Sequence, residues 1–566
     1  MNAHKRQQQG RRSDPIRALF IQTPSIEMHI SSRHLHAYLR RAAVLVAGLI
    51  SLASPLFSAE TVTPRKLDDS LQLMVDRSII DTLGGQASLR LGMPISREVA
   101  VASEKPWEGR AFFISSIYKH DGLYYMLYRG MNTESGKEGP DEQYLCMAMS
   151  KDGVKWDKPS LGLVEFKGSK DNNMVAYENG KAFPACFTFY DPRPGTPYNE
   201  RLKAIDMRDG ARRAGGAGKG LRAQLLGSAD GRVWHELSIK ANLESDLVNA
   251  FDGGSVCWSE AEQAFVGYFR WWDTAAPTHP RTLPDWMIGR PGVRTSFRSI
   301  SRDLVTWSKP EPMNYGETPR ENFYETCTVP YFRSPNLYIV LANRFNPGRR
   351  ALTLEEERSL DISRLPGNTT TPTYTFASDA NDLVLLVTKP GSVTFDRPFM
   401  EAFLRPGPEL GNWASRCNYA SLSGGIIPTG PAEISFYVSR HHLQKTNYIQ
   451  RISLRTDGFA SVNAPYAGGT MVTVPFTYSG DHLVLNFSTS GAGEIRVELQ
   501  DSAGQPLPGY TLADCDVLIG DRIAGVVSWH GQQSVARYMA KPVRLRFQMV
   551  DADLYSFQFP SALAPQ

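Results

Sequence analysis

Short apolar runs separated by Gly-, Pro- and Asp-bearing turns fill the chain from about residue 105 onward, and long helical periodicity is nearly absent. In Ser115–Tyr128 the pair Asp121-Gly122 splits two strands as a hairpin turn. Val256–Trp258 with Ala264–Arg270, and Thr328–Tyr331 with Leu337–Val340, read the same way. Three turns share one pattern: Ser150-Lys-Asp-Gly-Val-Lys-Trp156, Ser228-Ala-Asp-Gly-Arg-Val-Trp234 and Ser301-Arg-Asp-Leu-Val-Thr-Trp307. Their tryptophans stand 78 and 73 residues apart, with a degenerate copy at Lys389–Phe395 and an echo at Arg455-Thr-Asp-Gly-Phe459. Ser and Asp can bond the backbone of a tight turn, and the aromatic packs back onto the sheet. Asp152, Asp230 and Asp303 are therefore structural acids.

A fixed long-range period marks a propeller or a solenoid, and this one exceeds the ~40–45 residues of a WD40 blade. It predicts large blades, with room for about five between roughly 105 and 460. After Ser461 the turn motif stops, and short strands such as Leu483–Asn486, Glu494–Glu498 and Val543–Gln548 alternate between polar turns. The expected fold is all-β: a five-bladed β-propeller over 60–460, then a β-sandwich over 461–566. Residues 347–377 are the longest irregular stretch and read as a loop projecting from one blade.

At the other end, Arg40-Arg41 leads into the apolar run Ala42–Ala53 and then a small-residue stretch ending near Ala59. This is the layout of a secretory signal, and the run is shorter than the roughly 20 residues of a spanning helix. Residues 1–59 are read as a leader with a start at Met28, the protein as exported to the periplasm or beyond, with no membrane span after cleavage. That segment holds eight of the 62 Lys/Arg and two of the 58 Asp/Glu, so the remainder is close to neutral and gives no reason to expect a nucleic-acid partner. Six cysteines stand singly, without a CxxC or Cys/His cluster, so few or no disulfides, no metal and no cofactor are expected.

The Ser-x-Asp-Gly-x-x-Trp turns in blades of this length, with a β-sandwich behind, resemble the five-bladed propeller glycosidases of families 32, 43 and 68. The chain is most similar to bacterial exported proteins with a family-32-like N-terminal domain, through Pro106–Gly109, Tyr125–Gly130, Arg193–Ala204, Asn249–Asp252, Asp396–Phe403, Ile426–Pro431 and Lys541–Phe547 with Asp553–Phe557. The resemblance implies an axial pocket that acts on a carbohydrate. The invertase block Asn-Asp-Pro-Asn-Gly is missing, and Glu108 in Trp107-Glu-Gly-Arg110 is the nearest counterpart to its nucleophile. A sialidase box would carry an extra residue between Asp and Gly, and no arginine triad is legible.

Glycosidic cleavage needs two carboxyl groups, which a propeller glycosidase takes from the starts of its inner strands. The candidates are Glu108, Asp191 in Tyr190-Asp-Pro-Arg193, Asp252 in Phe251-Asp-Gly-Gly254, Glu325 in Glu321-Asn-Phe-Tyr-Glu-Thr-Cys327, and Glu401. The resemblance likens Asp191 to the Asp that holds sugar hydroxyls, and Glu325 to the general acid. Trp107, Arg416, Asn418 and His441 are candidate sugar contacts, although His441-His442 also reads as a pair at the rim. Each acid has a plainer reading: Asp-Pro and Asp-Gly mark turns, Glu321 and Glu325 could edge a solvated loop, and Glu401 could pair with Arg397 or Arg405. Three functions stay open: a glycoside hydrolase, a glycan-binding or scaffold propeller without the acid pair, and a sugar phosphorylase, which would need a cationic pocket.

Overall fold

The computed structural model describes residues 63–132, 143–206, 221–243, 253–273, 292–362, 377 and 379–561. The leader, Met28 and Asp252 lie outside them. Five antiparallel blades form the body. Their first strands are Ile114–His120, Phe187–Tyr190, Gly254–Ser259, Asn322–Tyr331 and the interrupted run through Ser423–Gly424. These five inner strands start at one end of the axis, called upper here, and run in parallel.

The last blade is closed by the front of the chain. Glu433–Arg440 pairs with Tyr448–Arg455, which pairs in turn with Ile95–Ala102 as the outermost strand. Ser423–Gly424 pairs parallel to Ser116–Ile117 of the first inner strand and joins blade five to blade one.

The turn motif does its local work as its chemistry requires. Ser150 Oγ accepts from Gly153 N at 2.8 Å, Asp152 Oδ1 accepts from Val154 N and Lys155 N at 2.8 and 2.9 Å, and Trp156 Nε1 donates to Gly153 O at 3.1 Å. In the third copy Leu304 takes the place of the glycine with φ 65°, and Trp307 Nε1 still reaches the Leu304 carbonyl at 3.0 Å. All these turns lie at the lower end, since each follows a strand that runs down from the upper end.

Halfway down the axis the inner strands are tied by small hydroxyls. Ser115 and Ser116 Oγ lie 2.9 and 2.5 Å from Thr188 Oγ1, Ser255 Oγ accepts from Thr328 N at 3.2 Å, and Ser423 Oγ donates to Val256 O at 3.2 Å. Apolar layers fill the seams between blades.

A ten-stranded sheet forms the second body and draws on both ends of the chain. Its longest members are Val484–Asp501 and Val543–Gln558, paired along most of their length. Arg65–Asp68, Ile80–Gly85 and Ser88–Leu91 join it by pairing with Phe476–Tyr478, Gly469–Thr473 and Ala460–Ala464. The expected propeller boundary at 60 therefore moves: residues 65–91 belong to the second sheet, and the propeller begins at Ile95. Pairing between residues four hundred positions apart leaves no local trace in a sequence.

Asp457, in the fifth echo of the turn motif, pins the two bodies together. It is fully buried with φ 63°. It accepts from Tyr331 Oη at 2.7 Å, Asn486 Nδ2 at 3.0 Å and Ser556 Oγ at 2.8 Å, with Arg333 Nε 3.0 Å away. Within the stretch read as one loop, Leu354–Ser359 is a short helix with a capping box between Thr353 and Glu356. The six cysteines are free thiols. No helix among the described residues is long and apolar enough to cross a membrane.

Candidate axial site

At the upper end of the fourth inner strand the ladder slips between Phe323 and Glu325, which face Arg344 and Asn343, and Tyr324 is the extra residue. A bulge re-aims a side chain, and three guanidinium groups gather on the Tyr324 ring. Those of Arg270, Arg294 and Arg416 lie 4.3, 5.0 and 5.5 Å from its centre. Arg294 also stands over Trp272 at 4.5 Å. Tyr419 packs against Tyr324 with ring centres 5.1 Å apart and against Phe113 at 5.3 Å, and Arg129 lies over Phe113 at 5.4 Å.

Glu325, 5% exposed, is the acid in this set. Arg270 Nη1 donates to its Oε1 at 2.9 Å and to the Tyr324 carbonyl at 3.1 Å. The carboxylate rests on Gly253, where a Cβ would stand 2.4 Å from Oε1 and 2.7 Å from Oε2. Arg270 and the Gly253 backbone thus fix the position of this carboxyl group at the upper end of the axis.

Burial and neighbouring charges shift the groups of this cluster. Burial brings Arg129 down to about 10, with Arg416 adding to the effect; Arg294 also falls to about 10 through burial, with Arg270 and Arg416 contributing. Burial raises the Tyr419 hydroxyl well above its usual range, so it is a neutral donor. Burial, then Arg129 and Arg416, hold the His442 imidazole neutral.

The other sequence candidates fall elsewhere. Glu108 is fully buried in the seam between blade one and the closing strand. It accepts from Tyr128 Oη at 2.7 Å, from Glu104 N and Lys105 N at 2.9 Å each, and from Lys158 Nζ at 3.0 Å to both oxygens. Lys158 also donates to the Ala102 carbonyl at 2.7 Å, so this carboxylate is consumed in closing the ring. Trp107 beside it donates to Asn173 Oδ1 at 2.7 Å and packs on Phe166. Asp191 follows its inner strand rather than preceding it, and so lies at the lower end. Both its oxygens take bonds from Arg193, at 2.9 and 2.8 Å, and Arg193 Nη1 reaches the Arg302 carbonyl in the third turn motif.

Glu401 is exposed on the outer segment of blade four, beside the stretch in which Leu404 bridges to Leu383. Arg397, its suggested partner, pairs with Glu321 instead. Asn418 is buried and holds the backbone, donating to Asn381 O at 2.9 Å and accepting from Arg440. His441 bonds Thr446 Oγ1 at 2.9 Å and Glu409 Oε2 at 3.1 Å, while His442 is buried rather than at the rim. Arg416 is the one predicted sugar contact that joins Glu325.

Sequence reasoning missed Arg129, Arg270, Arg294, Tyr324 and Tyr419. A signal exists: Arg129, Arg270, Arg344 and Arg440 recur near the upper end of the second strand of blades one, three, four and five. No cluster of His, Cys, Asp or Glu suited to a metal occurs among the described residues.

No family model and no curated protein matches the chain. Among solved structures it is similar to a putative glycosidase from Bacteroides thetaiotaomicron, at 12% identity over 64% of this chain and 96% of that one, with a TM-score of 0.32. It is also similar to the β-1,2-mannobiose phosphorylase of Listeria innocua, at 9% identity over 65% and 97%, TM-score 0.36. A third is the family-32 β-fructofuranosidase of Bombyx mori, at 8% identity over 87% and 96%, TM-score 0.34. The strand order makes the chain a five-bladed propeller, and its likeness to these glycosidases and to a glycoside phosphorylase is one of low identity.

Proposed function

We propose that this is an exported carbohydrate-active protein that binds a glycan at the upper end of its propeller and cleaves it as a glycoside hydrolase, with Glu325 at the reacting centre. One observation carries the reading: Glu325 is the sequence candidate that meets aromatic and cationic side chains at the axis, against a glycine that leaves room for its carboxylate. Arg270 fixes the carboxyl group in place, beside the Tyr324 and Tyr419 rings. Asp252, one residue before Gly253 in the chain, is the second position the sequence nominates for the acid pair.

The test is product release from a polysaccharide panel by the mature chain, repeated with Glu325→Gln and Asp252→Asn. Loss of a working carboxyl group is expected to lower kcat at least about 100-fold. An activity that survives both replacements within severalfold removes the assignment.

The Arg270–Glu325 ion pair also favours a second reading, a glycan-binding propeller that does not cleave. Saturable glycan binding without product, unchanged in Glu325→Gln, would select it.

A further inference from the structure

Two side chains of the axial site hang on a turn that ordinary backbone preference disfavours. Arg416 and Asn418 both stand at positive φ, 62° and 64°, in the segment leading from Trp413 to the inner run of blade five. Asparagine tolerates the left-handed region because its short amide bonds locally, but arginine gains no such relief. A conformation of this kind persists only where neighbouring groups over-determine it.

Those groups come from blade four. Asn343 and Asn381 lie on its second and third strands, Ser334–Asn346 and Ala380–Thr388, and both are buried. Asn381 Oδ1 accepts from Arg416 N at 2.7 Å, and its Nδ2 donates to Asn343 Oδ1 at 3.0 Å. Asn343 Nδ2 donates in turn to the Cys417 carbonyl at 3.2 Å. Two amides in series thus bridge the N–H of Arg416 and the carbonyl of the next residue. Asn418 closes the arrangement by donating from Nδ2 to the Asn381 carbonyl at 2.9 Å. An amide accepts at its oxygen and donates at its nitrogen, so each bond in the series fixes the orientation of the next.

The turn delivers the Arg416 guanidinium 5.5 Å from the centre of the Tyr324 ring, and the Tyr419 ring centre 5.1 Å from the same ring. With φ returned to the common negative range, the Arg416 side chain would leave the backbone in another direction and lose that place.

We propose that Asn381 and Asn343 are positioning residues of the axial site, which hold the left-handed turn at Arg416 and so set its guanidinium over Tyr324 for glycan binding. They act through Arg416 rather than on the glycan. That Arg416 meets a glycan rests on the carbohydrate reading; the dependence of the turn on the two asparagines does not.

The experiment is a double-mutant cycle between Asn381→Ala and Arg416→Ala in the mature chain, with oligosaccharides of xylan, mannan, arabinan and levan tested separately. Each single variant is expected to raise KM, or Kd where binding occurs without cleavage, about tenfold, with kcat changed less than about threefold. The double variant should stay within about twofold of Arg416→Ala alone, because residues that act as a unit are not additive. Asn381→Asp, which keeps an acceptor for the Arg416 amide, should retain more affinity than the alanine variant. Hydrogen exchange on the same variants needs no ligand. Amides of residues 414–419 should exchange about tenfold faster in Asn381→Ala and Asn343→Ala, while those of Gly254–Ser259 in blade three stay as in wild type.

Additive losses in the cycle, or unchanged exchange across 414–419 in both asparagine variants, overturn the positioning role while the carbohydrate reading stands. Faster exchange spread through blade three as well marks a general structural role and overturns it too. If exchange rises in the segment alone but no oligosaccharide binds wild type, the carbohydrate reading falls and the hold on the turn remains.

Discussion

The Glu325 carboxylate lies directly on Gly253, so close that a methyl group on that glycine would stand 2.4 Å from Oε1. The contact joins the start of the third inner strand to the fourth, and Arg270 completes it by donating from its backbone N–H to the Gly253 carbonyl at 2.9 Å while its side chain holds Glu325.

Gly253→Ala should therefore damage the site more than its size suggests. The residue sits at φ 138°, where a side chain adds strain of about 1–3 kcal/mol, and the added methyl must push the carboxylate away from Arg270. The expected outcome is a drop of tenfold or more in glycan turnover or affinity, with a lower Tm. Gly391→Ala supplies the control: also at positive φ but with open space around it, it should lower Tm alone.

Asp457 gives a prediction about the joint between the two bodies. Asp457→Ala removes the acceptor for Tyr331, Asn486 and Ser556 and the partner of Arg333 in one change. Losing one partner of a buried, hydrogen-bonded charge costs about 3–5 kcal/mol. Urea unfolding should show a loss of this order, and Asp457→Asn, which keeps the shape, should lose less. A loss below about 1 kcal/mol for the alanine variant would show that the joint does not depend on this residue.

Acid should loosen the blade turns before it dissolves the cores. The Lys155 and Val154 amides hold Asp152 below the usual carboxylate range. Burial raises Asp303, but the Thr306 and Val305 amides outweigh it and bring it down as well. A carboxyl group lowered on folding stabilises the fold above its unfolded value of about 3.9, and that contribution disappears as pH falls through the folded value. Stability should decline below about pH 4, and Asp152→Asn with Asp303→Asn should flatten the decline. An unchanged acid limb in the double variant would place the sensitivity elsewhere.

The blade turns were legible because Ser, Asp, Gly and Trp act within seven residues, and their recurrence counts the blades. The second sheet was legible only in its C-terminal part, because Arg65 meets Phe476 through the fold alone. The acids were the hardest to rank. Glu108 and Glu325 each precede or begin a strand, and what separates them is Lys158, fifty residues from Glu108, against Gly253 and Arg270 beside Glu325. The arginines escaped notice because one basic residue on a strand reads as a solvated face. Here Arg270 and Arg294 are buried, packed on Tyr324 of the next blade, a contact that the strand pattern does not encode.

Asp191 offers the sharpest contrast with Glu325, since both are buried and both are paired with arginine. Asp191 is tied to Arg193 at the lower end, and Arg193 packs on Phe265 with its guanidinium 4.4 Å from the ring centre. Asp191→Asn should therefore lower stability, by about 1–3 kcal/mol because the Arg193 side chain is partly exposed and keeps some water. Turnover per folded molecule should stay within twofold of wild type, since the contacts of this pair among the described residues lie at the lower end. Glu325→Gln should do the reverse, sparing Tm relative to its effect on kcat. The two variants, compared by Tm and by rate on the same glycan, separate a carboxylate that holds a blade from one that meets a substrate. Equal losses of rate in both would mean that the upper end is not where the chemistry lies.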